Sequence, residues 1–166
     1  MNLYILRHAI ALDKQKWNKA DSDRPLIEEG ANKFKKIAKG LRHLDLEIDW
    51  ILTSPFRRAY DTAMIAAKEL KLKKKVRVIK SLAPDGDPKT LVRHLALNFR
   101  SWESVIVVGH DPYLSRLISI LVSGSSELSL ELDKGSFAKL SADSLTYGQC
   151  ARLEWLLTPK ILKNII

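Results

Sequence analysis

Short continuous apolar runs alternate along this chain with stretches whose apolar residues recur at helical spacing. Leu3 to Leu6 is the first such run and predicts a buried strand. From Glu28 to Arg42, Ala31, Phe34, Ile37, Ala38 and Leu41 recur every three or four positions, which predicts an amphipathic helix. Asp49 to Thr53 contains a second strand, and Ser54-Pro55 predicts the next helix start, with Ser54 as N-cap and Pro55 in the first turn. That helix presents Ala59, Ala63, Ala66, Ala67 and Leu70 on one face. Val76 to Ile79 predicts a short strand, and Asp87-Pro88 opens a helix bearing Leu91, Leu95 and Phe99. Val105 to Val108 is the most uniformly apolar strand. Asp111-Pro112 repeats the helix-start signature ahead of Leu114, Leu117, Ile118, Leu121 and Val122. Ser136 to Leu140 and Ala151 to Leu157 alternate in part and predict two further strands. Strand–helix alternation of this kind predicts an α/β fold: a mostly parallel central sheet with helices on both faces, in three layers.

Composition narrows the class without changing that picture. The 166 residues are 46% hydrophobic, in the ordinary globular range, and no linker or repeat divides them, so one domain over residues 1–166 is expected. No apolar run reaches the roughly 20 residues a membrane span needs. Met1 to Leu6 lacks a basic lead-in and a small-residue cleavage site, so no signal peptide is expected. Cys150 is the only cysteine, which excludes an internal disulfide or a cysteine-rich zinc site and fits a cytoplasmic location. With 28 Lys and Arg against 19 Asp and Glu, the net charge is +9. Such a surplus suits nucleic acid, a membrane surface or phosphorylated substrates. Much of it sits in Lys71, Lys73, Lys74, Lys75 and Arg77, a run that reads as a solvated turn.

The chemistry collects where three strands end. The first runs into Arg7-His8, the second into Ser54-Pro55-Phe56-Arg57-Arg58, the third into Gly109-His110-Asp111-Pro112. Parallel strands place their carboxyl ends on one edge, where open α/β sheets bind ligands. Any one of these sites alone could be a polar strand end or a helix-surface charge; His43 and His94, in helical segments without a partner pattern, read that way. Together they bring two histidines and two or three arginines to one place. Guanidinium groups match phosphate oxygens, a neutral imidazole is a nucleophile, and the neighbouring helix starts offer backbone N–H groups. The cluster suits phosphoryl transfer to histidine. Two histidines among arginines make a poor metal site, and the chain has no phosphate-loop, dinucleotide or serine-hydrolase motif.

These residues resemble the motifs of the histidine phosphatase superfamily, also called phosphoglycerate mutase-like. Leu6-Arg7-His8-Ala9 is similar to its Arg-His-Gly signature, with Ala9 in the glycine position. Thr53 to Ala63, through Arg58-Ala59 and Thr62-Ala63, resembles the second motif, and Val108 to Pro112 the third. Arg24 to Gly30 resembles an Arg-Pro-Leu-Thr stretch, but Ile27 replaces the threonine that would cap the following helix, so that helix start is expected to be weaker or shifted. Asp21 to Leu26, Ser54-Pro55, Pro84 to Asp87 and Leu157 to Pro159 resemble the SixA-type protein-histidine phosphatases within the superfamily. A chain this short has little room for the insertions that cap larger members, which implies an open site.

The resemblance implies that His8 is the nucleophile and that Arg7, Arg58 and His110 bind the phosphate, with no metal and no cofactor. Arg58 is preferred to Arg57 because it immediately precedes the Ala-x-x-Thr-Ala pattern; Arg57 is expected to face solvent. The attacking nitrogen of His8 must be unprotonated, so its other nitrogen is expected to donate to a backbone carbonyl. The implied substrate is a phosphohistidine protein, with inorganic phosphate as product, no membrane or nucleic-acid partner, and a monomeric enzyme. Asp85 is the nearest match to the acid that many members use for alkoxide leaving groups, whereas Asp87 reads as an N-cap. Two alternatives stand beside this reading: a broad phosphatase of small phosphoesters or phosphoanhydrides with Asp85 as acid, and a non-catalytic module binding phosphoproteins or RNA.

Overall fold

The computed structural model describes residues 1–101 and 103–165. Six strands, β1 (Asn2–Arg7), β2 (Trp50–Thr53), β3 (Val76–Val78), β4 (Ser104–Gly109), β5 (Phe137–Ser141) and β6 (Arg152–Leu157), form one sheet in the order β3-β2-β4-β1-β5-β6. β3, β2, β4 and β1 run parallel, β5 pairs antiparallel with β1 and β6 antiparallel with β5, so only β5 runs against the rest and the sheet is mostly parallel as its alternating elements predict. β4 sits between β2 and β1, and all six of its residues are buried. A strand covered on both faces has no use for polar alternation, which explains the unbroken run Val105 to Val108.

Alternation along the strands divides the core. Leu3, Ile5, Leu52, Val105 and Val107 face one side, packing with Leu91 and Leu95 of α3 (Pro88–Asn98) and Leu114, Leu117 and Leu121 of α4 (Tyr113–Ser123). Tyr4, Leu6, Ile51, Ile106 and Val108 face the other, against Phe34, Ile37 and Leu41 of α1 (Glu28–His43) and the alanine face of α2 (Arg57–Glu69). Ala59, Ala63, Ala66 and Ala67 are fully buried there, small enough to let α2 lie close to the sheet. The result is a three-layer α/β/α fold. A short fifth helix, α5 (Pro159–Lys163), packs on α1 through Leu162; the strand pattern of the sequence does not predict it. Among the described residues no helix is long and apolar enough to cross a membrane.

Two helix starts differ from expectation. α2 begins at Arg57 rather than after Ser54, because the Ser54 hydroxyl accepts from the Phe56 N–H (3.2 Å) and pairs with His110. α4 begins at Tyr113 with Pro112 at the N-cap position, and Asp111 gives it no capping hydrogen bond. Asp87 caps α3 as expected, accepting from the N–H groups of Lys89 (3.1 Å) and Thr90 (3.0 Å). α1 starts at Glu28 without a side-chain cap, so the loss of threonine at Ile27 removes the cap but does not shift the helix. The basic run forms a turn, Lys73–Lys75, entering edge strand β3, and it is not wholly solvated. The Lys75 ammonium and the Arg77 guanidinium lie 4.5 Å and 3.8 Å from the centre of the Trp50 ring.

Candidate active site

The parallel strands deliver their carboxyl ends to one edge. β1 carries Arg7 at its last position, with His8 next; β4 ends at Gly109 beside His110, and β2 at Thr53 beside Ser54. The ladder extends past these ends, since the His8 N–H donates to Gly109 O (3.0 Å) and the Ser54 N–H to Val108 O (3.0 Å). Backbone hydrogen bonds therefore set the spacing of the two histidines, whose ring centres lie 5.1 Å apart.

His8 is 7% exposed. Its Nδ1 lies 2.7 Å from Ala9 O, and a carbonyl can only accept, so Nδ1 carries the proton and Nε2 is the basic nitrogen. Burial, and then the charges of Arg58, Arg7 and Lys134, push its pKa down to about 3 against the opposing pull of the Ala9 hydrogen bond. His8 is neutral across the physiological range. His110, 3% exposed, is likewise pushed to about 3, first by burial and then by His8 and Arg58. Its Nε2 pairs with the Ser54 hydroxyl (2.8 Å), its ring meets Phe56 edge-on, and its Nδ1 is buried without a partner.

Arg58 projects from the first turn of α2 and is 4% exposed. Its two terminal nitrogens donate to the backbone carbonyl (2.9 Å) and carboxylate (3.0 Å) of Asp21, and its Nε is buried without a partner. Burial raises the Asp21 pKa, but hydrogen bonds and charge from Arg24 and Arg58 outweigh it and hold the carboxyl below the usual range. Arg24 is itself fixed by Asp21 Oδ1 (2.7 Å) and Leu12 O (2.6 Å). Arg7 donates to Leu132 O, again leaving a buried Nε unpaired. Thr62 ties two motifs together: its hydroxyl donates to Arg58 O (2.6 Å) and accepts from the Ala9 N–H (3.0 Å).

The structure thus brings Arg7, His8, Arg58 and His110 to one sheet edge, with three of them holding a buried N–H or ring nitrogen that has no partner among the described residues. Such groups are costly unless a ligand answers them. Arg57 is exposed and pairs loosely with Asp61 (3.6 Å), outside this group. Asp85 is exposed. His43 bonds the Lys39 carbonyl within its own helix (2.9 Å), and the His94 carbonyl accepts from Asn98 (2.8 Å); both lie away from the site. Asp21, Ser54 and Thr62 are the functional positions that sequence reasoning did not assign. The Asp21–Arg24 spacing and the Arg58–Thr62 spacing were signals of local pairing, but only the fold shows what they orient. Among the described residues, no group of three or more His, Cys, Asp or Glu side chains could hold a metal ion.

An α/β sheet presenting two neutral imidazoles and two guanidinium groups at its carboxyl edge defines a phosphoryl-transfer enzyme of the histidine type. Residues 3–83 match the family model of the histidine phosphatase superfamily, branch 1. The chain belongs to the histidine phosphatase superfamily and is a phosphatase with a histidine nucleophile. It is 33% identical over 128 residues to phosphohistidine phosphatase SixA of Escherichia coli, covering 76% of this chain and 77% of that one. It is 34% identical over 145 residues to an uncharacterized protein of Picosynechococcus sp., covering 84% of each. Its fold superposes on the structure of protein histidine phosphatase SixA complexed with tungstate with a TM-score of 0.83, at 27% identity, over 96% of this chain and 98% of that one.

Proposed function

We propose that this enzyme removes the phosphoryl group from phosphohistidine in a protein, with His8 as nucleophile and Arg7, Arg58 and His110 as the phosphate cradle. The observation that carries the assignment of His8 is its Nδ1–Ala9 hydrogen bond, which leaves Nε2 as the attacking atom. His8 Nε2 attacks phosphorus as the P–N bond to the substrate imidazole breaks. Arg7, Arg58 and His110 hold the equatorial oxygens, where positioning and electrostatics supply most of the catalysis. Water then attacks the phosphohistidine at His8, releasing inorganic phosphate and restoring the neutral imidazole. One P–N bond replaces another in the first step, so little free energy separates its two sides.

The substrate class is supported by the carboxylates as well as by similarity to SixA. Asp21 is committed to Arg58 and Arg24 and held ionised, so it has no proton to give. Asp85 is exposed, outside the buried group formed by His8, Arg58 and His110. An imidazole protonated at its distal nitrogen departs without an acid, whereas an alkoxide needs one. Similarity to a tungstate complex fits a site shaped for a tetrahedral oxyanion.

Rapid quenching at alkaline pH with a phosphohistidine protein as substrate tests this reading. A phosphoenzyme that is stable in base and lost in acid is expected, labelled on the peptide holding His8. His8→Ala abolishes turnover yet still binds vanadate, and hydrolysis of phosphohistidine exceeds that of p-nitrophenyl phosphate. A label on His110, or turnover by His8→Ala, overturns the assignment.

A further inference from the structure

A groove of about 730 Å³ runs from the active site between α1 and α5. Arg7 and Ala9, one residue on each side of His8, line its near end. Its accessible apolar floor is Ile10 together with Pro159 of α5, both partly exposed, above Phe34 and Ile37 of α1, which are buried in the core. Its rim is cationic. Lys134, Lys160 and Lys163 line it, and none of them pairs with a carboxylate among the described residues; Lys33 lines it too, but bonds Glu29 (3.3 Å). Asp133 is the one acidic residue in the lining. Lys134 lies close enough to His8 for its charge to act on the imidazole, so the rim and the site share one field.

Resting on the phosphohistidine-protein reading above, we propose that this groove docks an acidic, amphipathic segment of the protein substrate, presenting its phosphohistidine to His8. Unpaired lysines offer charge complementarity to carboxylates, which speeds encounter and rejects basic partners. The apolar floor decides between a peptide and a naked polyanion. An inorganic polyanion is strongly hydrated and gains nothing from Ile10 and Pro159, whereas an acidic segment with interspersed leucines satisfies both floor and rim. The groove therefore selects the substrate by the residues around its phosphohistidine, and the catalytic cradle handles the phosphoryl group itself.

The test compares two short phosphohistidine peptides, one flanked by Glu and Leu and one by Lys and Leu, with free phosphohistidine. Wild type is expected to favour the acidic peptide in kcat/KM by roughly tenfold or more at low salt, with the preference shrinking as salt rises. Lys160→Glu combined with Lys163→Glu removes that preference and leaves hydrolysis of free phosphohistidine unchanged; the double Gln variant falls between. Lys134 is left intact because its charge bears on His8. No preference in wild type, or the same preference in the double variant, overturns the proposal. So does binding of inorganic tripolyphosphate at these lysines when neither peptide binds. Fluorescence anisotropy with the unphosphorylated acidic peptide separates the two readings. If wild type binds it, the Glu variant does not, and neither hydrolyses any P–N bond, the groove stands and the phosphohistidine assignment fails.

Discussion

At the scale of single residues, the site depends on how one buried cation is held. Arg58 is almost fully buried, and the carbonyl and carboxylate of Asp21 fix its two terminal nitrogens while Nε stays unpaired. Asp21 is therefore a positioning residue. Asp21→Ala is expected to lower kcat/KM by roughly 10–100-fold, the scale for a misplaced catalytic group. Asp21→Asn should recover part of that loss by keeping the hydrogen-bond acceptor, and a purely structural role would show no such rescue. Arg58→Ala should raise the barrier by about 2–4 kcal/mol, as removal of one electrostatic donor does. Arg57→Ala should change kcat/KM by less than about twofold, since Arg57 is exposed and its ion pair with the partly exposed Asp61 is loose at 3.6 Å. Steady-state kinetics on all four variants checks the set; equal effects at Arg57 and Arg58 would refute the division of roles.

Elements meet where small residues allow it. The α1 glycine at position 40 packs against α5, and a Cβ there would collide with the carbonyl of Leu162. Backbone cannot yield as a flexible side chain does, so Gly40→Ala should push α5 off α1. A loss of about 1–3 kcal/mol is expected from such overpacking, read as a lower urea midpoint. Because α5 walls the proposed docking groove, the same variant should disturb acidic peptides more than free phosphohistidine. The boundaries of α2 and α4 teach a related lesson. Ser54-Pro55 and Asp111-Pro112 have the look of helix starts, but Ser54 serves His110 and both helices begin one or two residues later. Function took the polar side chain that local propensity would have used as a cap.

For the whole molecule, the cost of the site shows as pH dependence. Both imidazoles are pushed from an ordinary 6.5 down to about 3, mainly by burial. Between those values the unfolded chain binds protons at His8 and His110 that the folded chain refuses. Stability therefore rises with pH through this window and falls on acidification from about pH 6.5 toward about pH 3, each histidine contributing at most about 1.4 kcal/mol per pH unit. Asp21, held below its usual pKa, adds to the loss in the lower part of that range. Urea denaturation at several pH values checks this, with His110→Gln expected to flatten the slope. A midpoint independent of pH between 7 and 4 would mean that the imidazoles are not held neutral.

The chain's own pattern determined the α/β class, the mostly parallel sheet and nearly every element, because strand and helix periodicities and buried β-branched runs are local properties. It also marked Arg7, His8, Arg58 and His110, since strand ends and short motifs can be read without knowing what lies opposite. What only the tertiary structure decided is which groups hold those four in place. The Asp21–Arg58 pair spans 37 positions, the Ser54–His110 pair 56 and the Thr62–Ala9 pair 53. Each couples residues whose separation along the chain carries no periodic signal. The groove beside α5 is of the same kind: Lys33, Lys134 and Lys160 become neighbours only when α1, the turn before β5 and the C-terminal helix pack together. Hydrophobic periodicity dictates which face turns inward, but the partners of a polar side chain are set by where the packed elements leave it.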